Sequence, residues 1–272
     1  MLVNGKFVCV PLEKVKNFNL YRTYKAFMES MKRKQMDLSY PEEYVDTIEE
    51  AIYRVPEVRS LNLECNDELR TPEELDEIAM KKFNDLFNGP SNFIFRSLMK
   101  SKTVDPNYPF DASDLENRTI MLKSYDYLGD LMMLFYEMLH ILVYQKNKKV
   151  VELEILPQAF KLIVADYLDS ITKEGNFVTS TLSTQIEEFK YNNYVNLLFP
   201  SLTPVFLPYT IGSYLANEVY LAYKKDPEEF RTHLNKILEG VLSIPDYLAL
   251  IGSSLTEENV DKVIENYKIV LK

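Results

Sequence analysis

Tyr136, Glu137 and His140 are the residues whose types and spacing come closest to a catalytic motif. They lie in the apolar segment DLMMLFYEMLHILVY, residues 130–144. Two histidines four residues apart leave one face of a helix and can bind zinc, while a glutamate after the first histidine activates the zinc-bound water. Glu137 and His140 occupy two of these positions, and Tyr136 stands where the first histidine belongs. The segment therefore predicts a zinc-hydrolase helix with one ligand replaced.

The same three residues also fit an ordinary packed helix. Tyr136 and His140 are one turn apart and could hydrogen-bond to each other. Glu137 would then be a buried acid without a metal beside it. Burial disfavours a carboxylate, so we expect either a raised pKa or a partner such as Tyr136, His140 or Lys123.

Helical patterns dominate the elements that would position these residues. Thr71-Pro72-Glu73-Glu74 is typical of a capped helix start, and Asp226 followed by Pro227 predicts another. Pro157 is expected at the first turn of a helix that ends near residue 172. A strand at 118–124 leads into the helix predicted at 126–145. Further helices are predicted at 21–35, 41–54, 183–198, 205–223, 244–251 and 256–271. The expected class is mainly α with a small β element.

Composition and charge argue against a nucleic-acid-binding or membrane-binding protein. The chain has 272 residues, of which 46% are hydrophobic and 26% are charged, as in globular proteins with a large core. Its formal net charge of −10 argues against nucleic-acid and anionic-membrane partners, since both require a basic surface. Cys9 and Cys65 match neither a disulfide framework nor a zinc spacing. No signal-peptide or transmembrane pattern is visible, so we expect a soluble cytoplasmic protein.

Three stretches follow one another in an order that resembles a known family. The first is RTIMLKSYDYLGDLMMLFYEMLHILVY, and the second is LPQAFKLIVADYLDSITKE. The third is FLPYTIGSYLANEVYLAYKKDPEEF, continuing into LSIPDYLALIGSSLTEENVDKVI. Together they resemble the thimet oligopeptidase and oligoendopeptidase F family of zinc peptidases. That family has a HExGH helix, a helix with a glutamate ligand, and a Tyr-x-x-Gly helix followed by a Gly-Gly-Ser segment.

The resemblance implies a zincin-like helical domain at 71–272, similar to the C-terminal catalytic part of oligoendopeptidase F. The segment 1–70 matches less clearly and is expected to be helical. His140 corresponds to a metal ligand. Aligning IVAD with the family's VAE assigns the next ligand to Asp166, whereas aligning the nearby proline and aromatic residue assigns Ala159. The resemblance therefore leaves two positions open for this ligand.

The resemblance also implies roles for residues beyond the metal helix. Glu137 corresponds to the general base, and Tyr209 to a tyrosine that stabilises the oxyanion. Gly212 follows Tyr209 at the family's spacing, and it would line the substrate groove with Tyr136. Zinc is the implied cofactor if the ligand set still functions. With Tyr136 in place of histidine, the sequence predicts no cofactor.

Because Tyr136 stands in place of the first histidine, the sequence leaves open whether the protein is an enzyme. Three functions are therefore considered. The leading expectation is a catalytically degenerate, peptidase-like module that binds a peptide or a protein segment. The first alternative is an active zinc oligopeptidase that uses His140, Asp166 and a non-standard ligand. The second is a structural or regulatory helical interaction protein whose former cleft is filled. The family's channel has a second half, so a homodimer or a partner subunit is expected to cover the corresponding wall.

Overall fold

Helices make up most of the chain that the structure describes, which confirms the mainly α prediction. The computed structural model describes residues 2–3, 6–7, 67–87, 90–107, 111–144, 150–173, 175–198, 203–253 and 261–265. The helices predicted at 21–35 and 41–54, both cysteines and most of the predicted segment 1–70 lie outside these residues. Most of the helix predicted at 256–271 also lies outside them, although residues 261–265 are helical.

Besides the helical residues 261–265, the structure describes eight helices and five short strands in chain order. The helices are α1 Pro72–Leu86, α2 Pro90–Ser101, α3 Asp130–Tyr144, α4 Val150–Ile171, α5 Phe177–Leu198, α6 Thr203–Lys225, α7 Pro227–Glu239 and α8 Ile244–Leu250. The strands are β1 Leu2–Val3, β2 Lys6–Phe7, β3 Thr103–Val104, β4 Ala112–Asp114 and β5 Thr119–Leu122.

The predicted helix starts follow from local hydrogen bonding. Thr71 and Glu74 form a reciprocal capping box at the start of α1, and the Asp226 side chain accepts hydrogen bonds from the first backbone amides of α7. These caps satisfy amides that have no partner inside the helix. The prediction that Pro157 opens a helix is wrong, because α4 begins at Val150 and contains Pro157 in its interior.

A small sheet packs against α3. β5 is its central strand, paired parallel with β3 and antiparallel with β4. β1 and β2 form a separate antiparallel pair. Both β4 and β5 contact α3. The turn between β5 and α3 is fixed by Asp130, whose carboxylate accepts hydrogen bonds from the backbone N–H groups of Asp126 at 2.9 Å and Tyr127 at 3.0 Å.

The helices α3, α4 and α6 form the centre of the fold. α4 makes its most extensive helix contacts with α6 and then with α3. α3 is buried over most of its surface, and phenylalanine rings pack beside it in the core: Phe83, Phe87, Phe95, Phe135, Phe160 and Phe230. Within the described residues, no helix combines the length and the apolar character that crossing a membrane would require.

Candidate functional site

The candidate site is a buried group of polar side chains between α3 and α4, which we call the Glu154 cluster. Its members are Tyr136, Glu137 and His140 on α3 and Glu154 and Lys161 on α4. Tyr136 and His140 lie one turn apart, and their rings meet edge to face with centroids 4.5 Å apart. The two side chains therefore leave the same face of α3, as the sequence pattern predicted.

Glu154 is the acid that faces the two α3 side chains. The Tyr136 hydroxyl donates a hydrogen bond of 2.9 Å to Glu154 Oε2. His140 Nε2 lies 3.8 Å from Glu154 Oε1. Glu154 is only 5% exposed, so its contact with Tyr136 is strengthened by the low polarity of its surroundings. Glu154 was not predicted from the sequence as a residue of the site.

Gly212 explains how Glu154 can be held so close to α6. A side-chain carbon added at Gly212 would lie 2.5 Å from Glu154 Cβ and 3.2 Å from the Glu154 carbonyl carbon. Only glycine allows the two helices to approach this closely. Gly212 is itself buried, so it serves the contact between α4 and α6.

Tyr209 lies one turn before Gly212 on α6 and is near the cluster. It is partly exposed, and its proximity contributes to raising the pKa of Tyr136. Burial is the main cause of that rise, and the charge of Glu154 is the next. Together they hold the pKa of Tyr136 well above its ordinary value, so the phenol keeps its proton at neutral pH.

Glu137 interacts with the sheet as well as with the cluster. The Ser113 side chain on β4 hydrogen-bonds to its carboxyl group. Burial raises the pKa of Glu137 from 4.5 to about 7; Asp111 raises it further, whereas Ser113 and Lys161 oppose the rise. The sequence predicted either a raised pKa or a partner for Glu137; the pKa is raised, and the hydrogen-bond partner is Ser113 in place of the residues expected.

His140 is a neutral imidazole under ordinary conditions. Burial lowers its pKa from 6.5 to about 3, and the nearby charge of Lys161 contributes. A neutral imidazole 3.8 Å from a carboxylate oxygen forms neither an ion pair nor a full hydrogen bond. The strong contact in the cluster is therefore the one between Tyr136 and Glu154.

Lys161 brings a positive charge to the cluster. Its ammonium lies 4.1 Å from the centre of the Tyr136 ring, within the range of a cation–π contact. Lys161 follows Glu154 by seven residues, or about two helical turns, so both side chains leave the same side of α4. No role was predicted for Lys161 from the sequence.

The two residues proposed for the further metal ligand lie elsewhere on α4. Asp166 accepts hydrogen bonds from Lys224 at 2.7 Å and Tyr220 at 3.1 Å, both on α6. It follows Glu154 by twelve residues, or about 18 Å along the helix axis. Ala159 is fully buried and has no ligand atom. The position opposite His140 is therefore held by Glu154 and not by Asp166 or Ala159.

The donor atoms of the cluster do not fit a catalytic zinc ion. Such a site has three protein ligands and one open position. His140 and Glu154 supply two ligands, while Tyr136 supplies a protonated phenol and Lys161 a competing positive charge. Across the described residues, no three His, Cys, Asp or Glu side chains converge as metal ligands.

None of the protein-family models, curated proteins or solved structures compared with the chain matches it.

Proposed function

We propose that this protein is a non-catalytic, zinc-peptidase-like helical protein that binds an extended peptide or protein segment. The observation that carries this proposal is the 2.9 Å hydrogen bond from Tyr136 to Glu154. A phenol stands at the position of the first imidazole, and it uses the carboxylate that would otherwise be available as a ligand. The acid, the imidazole and the helix pair are kept, whereas the arrangement for holding a metal is not.

Strand β4 is the element best placed to bind a peptide. It pairs with β5 on one side and, within the described residues, with no strand on the other. An unpaired strand edge offers backbone N–H and C=O groups to an extended chain, which can add to the sheet as a further strand. Ala112 and Ser113 are partly exposed, and Ser113 also contacts Glu137. A peptide at this edge would lie beside the Glu154 cluster.

Peptide binding and peptide cleavage can be tested with the same purified protein. Fluorescein-labelled short peptides of mixed sequence report binding by fluorescence anisotropy, and internally quenched peptides report cleavage in the presence of zinc. We expect binding without cleavage. Peptides with N-methylated backbone amides should bind more weakly, because they have fewer donors for strand pairing. Zinc-dependent cleavage would contradict the proposal.

Hydrogen exchange can locate the bound peptide on the sheet. We expect the amides of β4 to exchange more slowly when peptide is added. The opposite edge strand, β3, is the matched control, because Val104 is also exposed there. Protection at β3 with no change at β4 would rule out the proposed site.

A structural role is the second candidate, and the closure of the cluster favours it. Tyr136 is 8% exposed, Glu137 6% and Glu154 5%, so these side chains are packed inside the protein. In that case the cluster would only join α3 to α4, and the molecule would act through its outer surface. Failure of all peptides to bind, together with a concentration-dependent dimer in sedimentation experiments, would favour this function. The homodimer itself stays a prediction.

A further inference from the structure

The charges around the Glu154 cluster are unevenly distributed. Three carboxyl groups lie in or beside it on different elements: Glu137 on α3 and Glu154 on α4 belong to the cluster, and Asp111 before β4 lies near Glu137. His140 contributes no charge, because burial keeps it neutral. Lys161 is the cation whose influence reaches both Glu137 and His140. A buried group of acids is costly unless a positive charge or hydrogen-bond donors accompany it.

Lys161 lies where its positive charge can offset the negative charges of these acids. Its ammonium lies over the ring of Tyr136, the residue at the replaced ligand position, at 4.1 Å from the ring centre. Because Lys161 and Glu154 share a face of α4, the ammonium extends toward the same side of α3 as the Glu154 carboxylate. The side chain is partly buried, so its charge is less screened than that of a surface lysine.

We propose that the ammonium of Lys161 is the resident cation of the Glu154 cluster, that it stands in for a divalent metal, and that it excludes zinc. This inference rests on the proposed function, because it assumes that Tyr136 occupies a former ligand position. An ammonium suits the present cluster better than zinc does. It needs no deprotonated ligand set, and it can bind to the face of the aromatic ring that replaced the imidazole.

Restoring a metal site in the cluster depends on both Tyr136 and Lys161. Tyr136→His alone would supply a third protein ligand beside His140 and Glu154, but Lys161 would still repel a divalent ion at close range. Removing the ammonium as well should be required for tight binding. Two substitutions are therefore needed where the helix motif alone suggests one.

Zinc affinity of four variants, measured by isothermal titration calorimetry, tests this consequence. We expect no zinc uptake by Lys161→Met and weak uptake by Tyr136→His. The double variant Tyr136→His with Lys161→Met should bind one zinc at least roughly a hundredfold more tightly than Tyr136→His. The matched control is Tyr136→His with Lys224→Met, which removes a lysine paired with Asp166 outside the cluster. It should bind zinc no better than Tyr136→His.

Equal zinc affinities for Tyr136→His and Tyr136→His with Lys161→Met would overturn the inference, as would the same gain from Lys224→Met. If the first double variant does not fold alone, circular dichroism after refolding with zinc decides the matter. Recovery of the helical signal supports the inference, and no recovery overturns it. These results are independent of peptide cleavage by the unmodified protein, which tests the proposed function separately.

Discussion

The Glu154 cluster and a cavity near the other end of α6 both bury acidic side chains, but they surround them differently. The cavity has a volume of about 400 Å³ and is lined by residues of α6, α7, α8 and the helical residues 261–265. We call it the Glu218 cavity, after the α6 residue on its wall. Burial raises the pKa of Glu218 to about 7, the same value that Glu137 reaches in the cluster.

The two regions differ in how their tyrosine hydroxyls are satisfied. In the cluster, Tyr136 donates to Glu154 at 2.9 Å. In the cavity, the hydroxyl of the fully buried Tyr247 has no hydrogen-bond partner among the described residues. A similar rise in a carboxyl pKa therefore accompanies two different surroundings. One is a closed network with its own cation, and the other is an open space with an unpaired donor.

The largest expected difference between the cluster and the cavity is in how strongly their acids make the stability depend on pH. The folded-state pKa of Glu137 is raised from 4.5 to about 7, so between these values the folded protein binds more protons than the unfolded chain. Stability should therefore fall as the pH rises through this range, by about 3 kcal/mol in total. Glu137→Gln should remove this loss, as measured by urea unfolding at a series of pH values.

Glu218→Gln is the matched variant in the cavity. Glu218 is less deeply buried than Glu137, and its carboxylate accepts a hydrogen bond from the Ser253 hydroxyl. Burial raises its pKa, whereas Ser253 and Lys262 oppose the rise. The sign of the pH effect should be the same, and its size should be smaller. A larger effect at Glu218 than at Glu137 would mean that the cluster is more open to water than its buried side chains indicate.

The next largest difference is in the stability lost when a glycine of each region is replaced by alanine. Gly212→Ala would place a carbon 2.5 Å from Glu154 Cβ and should lower the free energy of unfolding by about 2 to 3 kcal/mol, because α4 and α6 must separate. Gly252, which lines the cavity, has a φ of +70° and open space around it, so Gly252→Ala should cost only about 1 kcal/mol from backbone strain. Thermal unfolding of both variants checks the order, and equal losses would contradict the close helix contact.

The smallest difference is in the stability lost when the tyrosine hydroxyl of each region is removed. Tyr136→Phe removes one donor from Glu154 and should cost about 2 kcal/mol, since the hydrogen bond is buried and its acceptor is a carboxyl group. Tyr247→Phe removes a hydroxyl for which the described residues offer no partner, and it should change stability by less than about 0.5 kcal/mol. Chemical denaturation of both variants provides the measurement. A loss for Tyr247→Phe as large as that for Tyr136→Phe would show that the cavity also holds its hydroxyl in a strong hydrogen bond.

Neighbouring residues in the sequence predicted the helices that carry the site better than the contacts between side chains on different helices. The helix starts at Thr71 and Asp226 were predicted because their caps depend on neighbouring residues alone. The shared face of Tyr136 and His140 followed from helical spacing. These features require no knowledge of the rest of the fold.

Pro157 shows why the partner of Tyr136 was missed. Proline removes a helix hydrogen bond, so Pro157 predicts a helix start, and that prediction puts Glu154 before the helix. In the structure, the contacts of α4 with α3 and α6 stabilise a helix that continues through Pro157. Such long-range packing has no signature in the local sequence. Lys161 was missed for the same reason, because its partner lies on a different helix.

The metal content of the unmodified protein tests the central claim most directly. After dialysis against zinc and removal of free metal, the zinc-to-protein ratio is measured by mass spectrometry for the natural sequence and for His140→Ala. Because Tyr136 occupies the Glu154 carboxylate, we predict that both proteins retain far less than one zinc per chain. One zinc per chain in the natural sequence, lost in His140→Ala, would contradict the claim that a phenol has replaced the metal ligand.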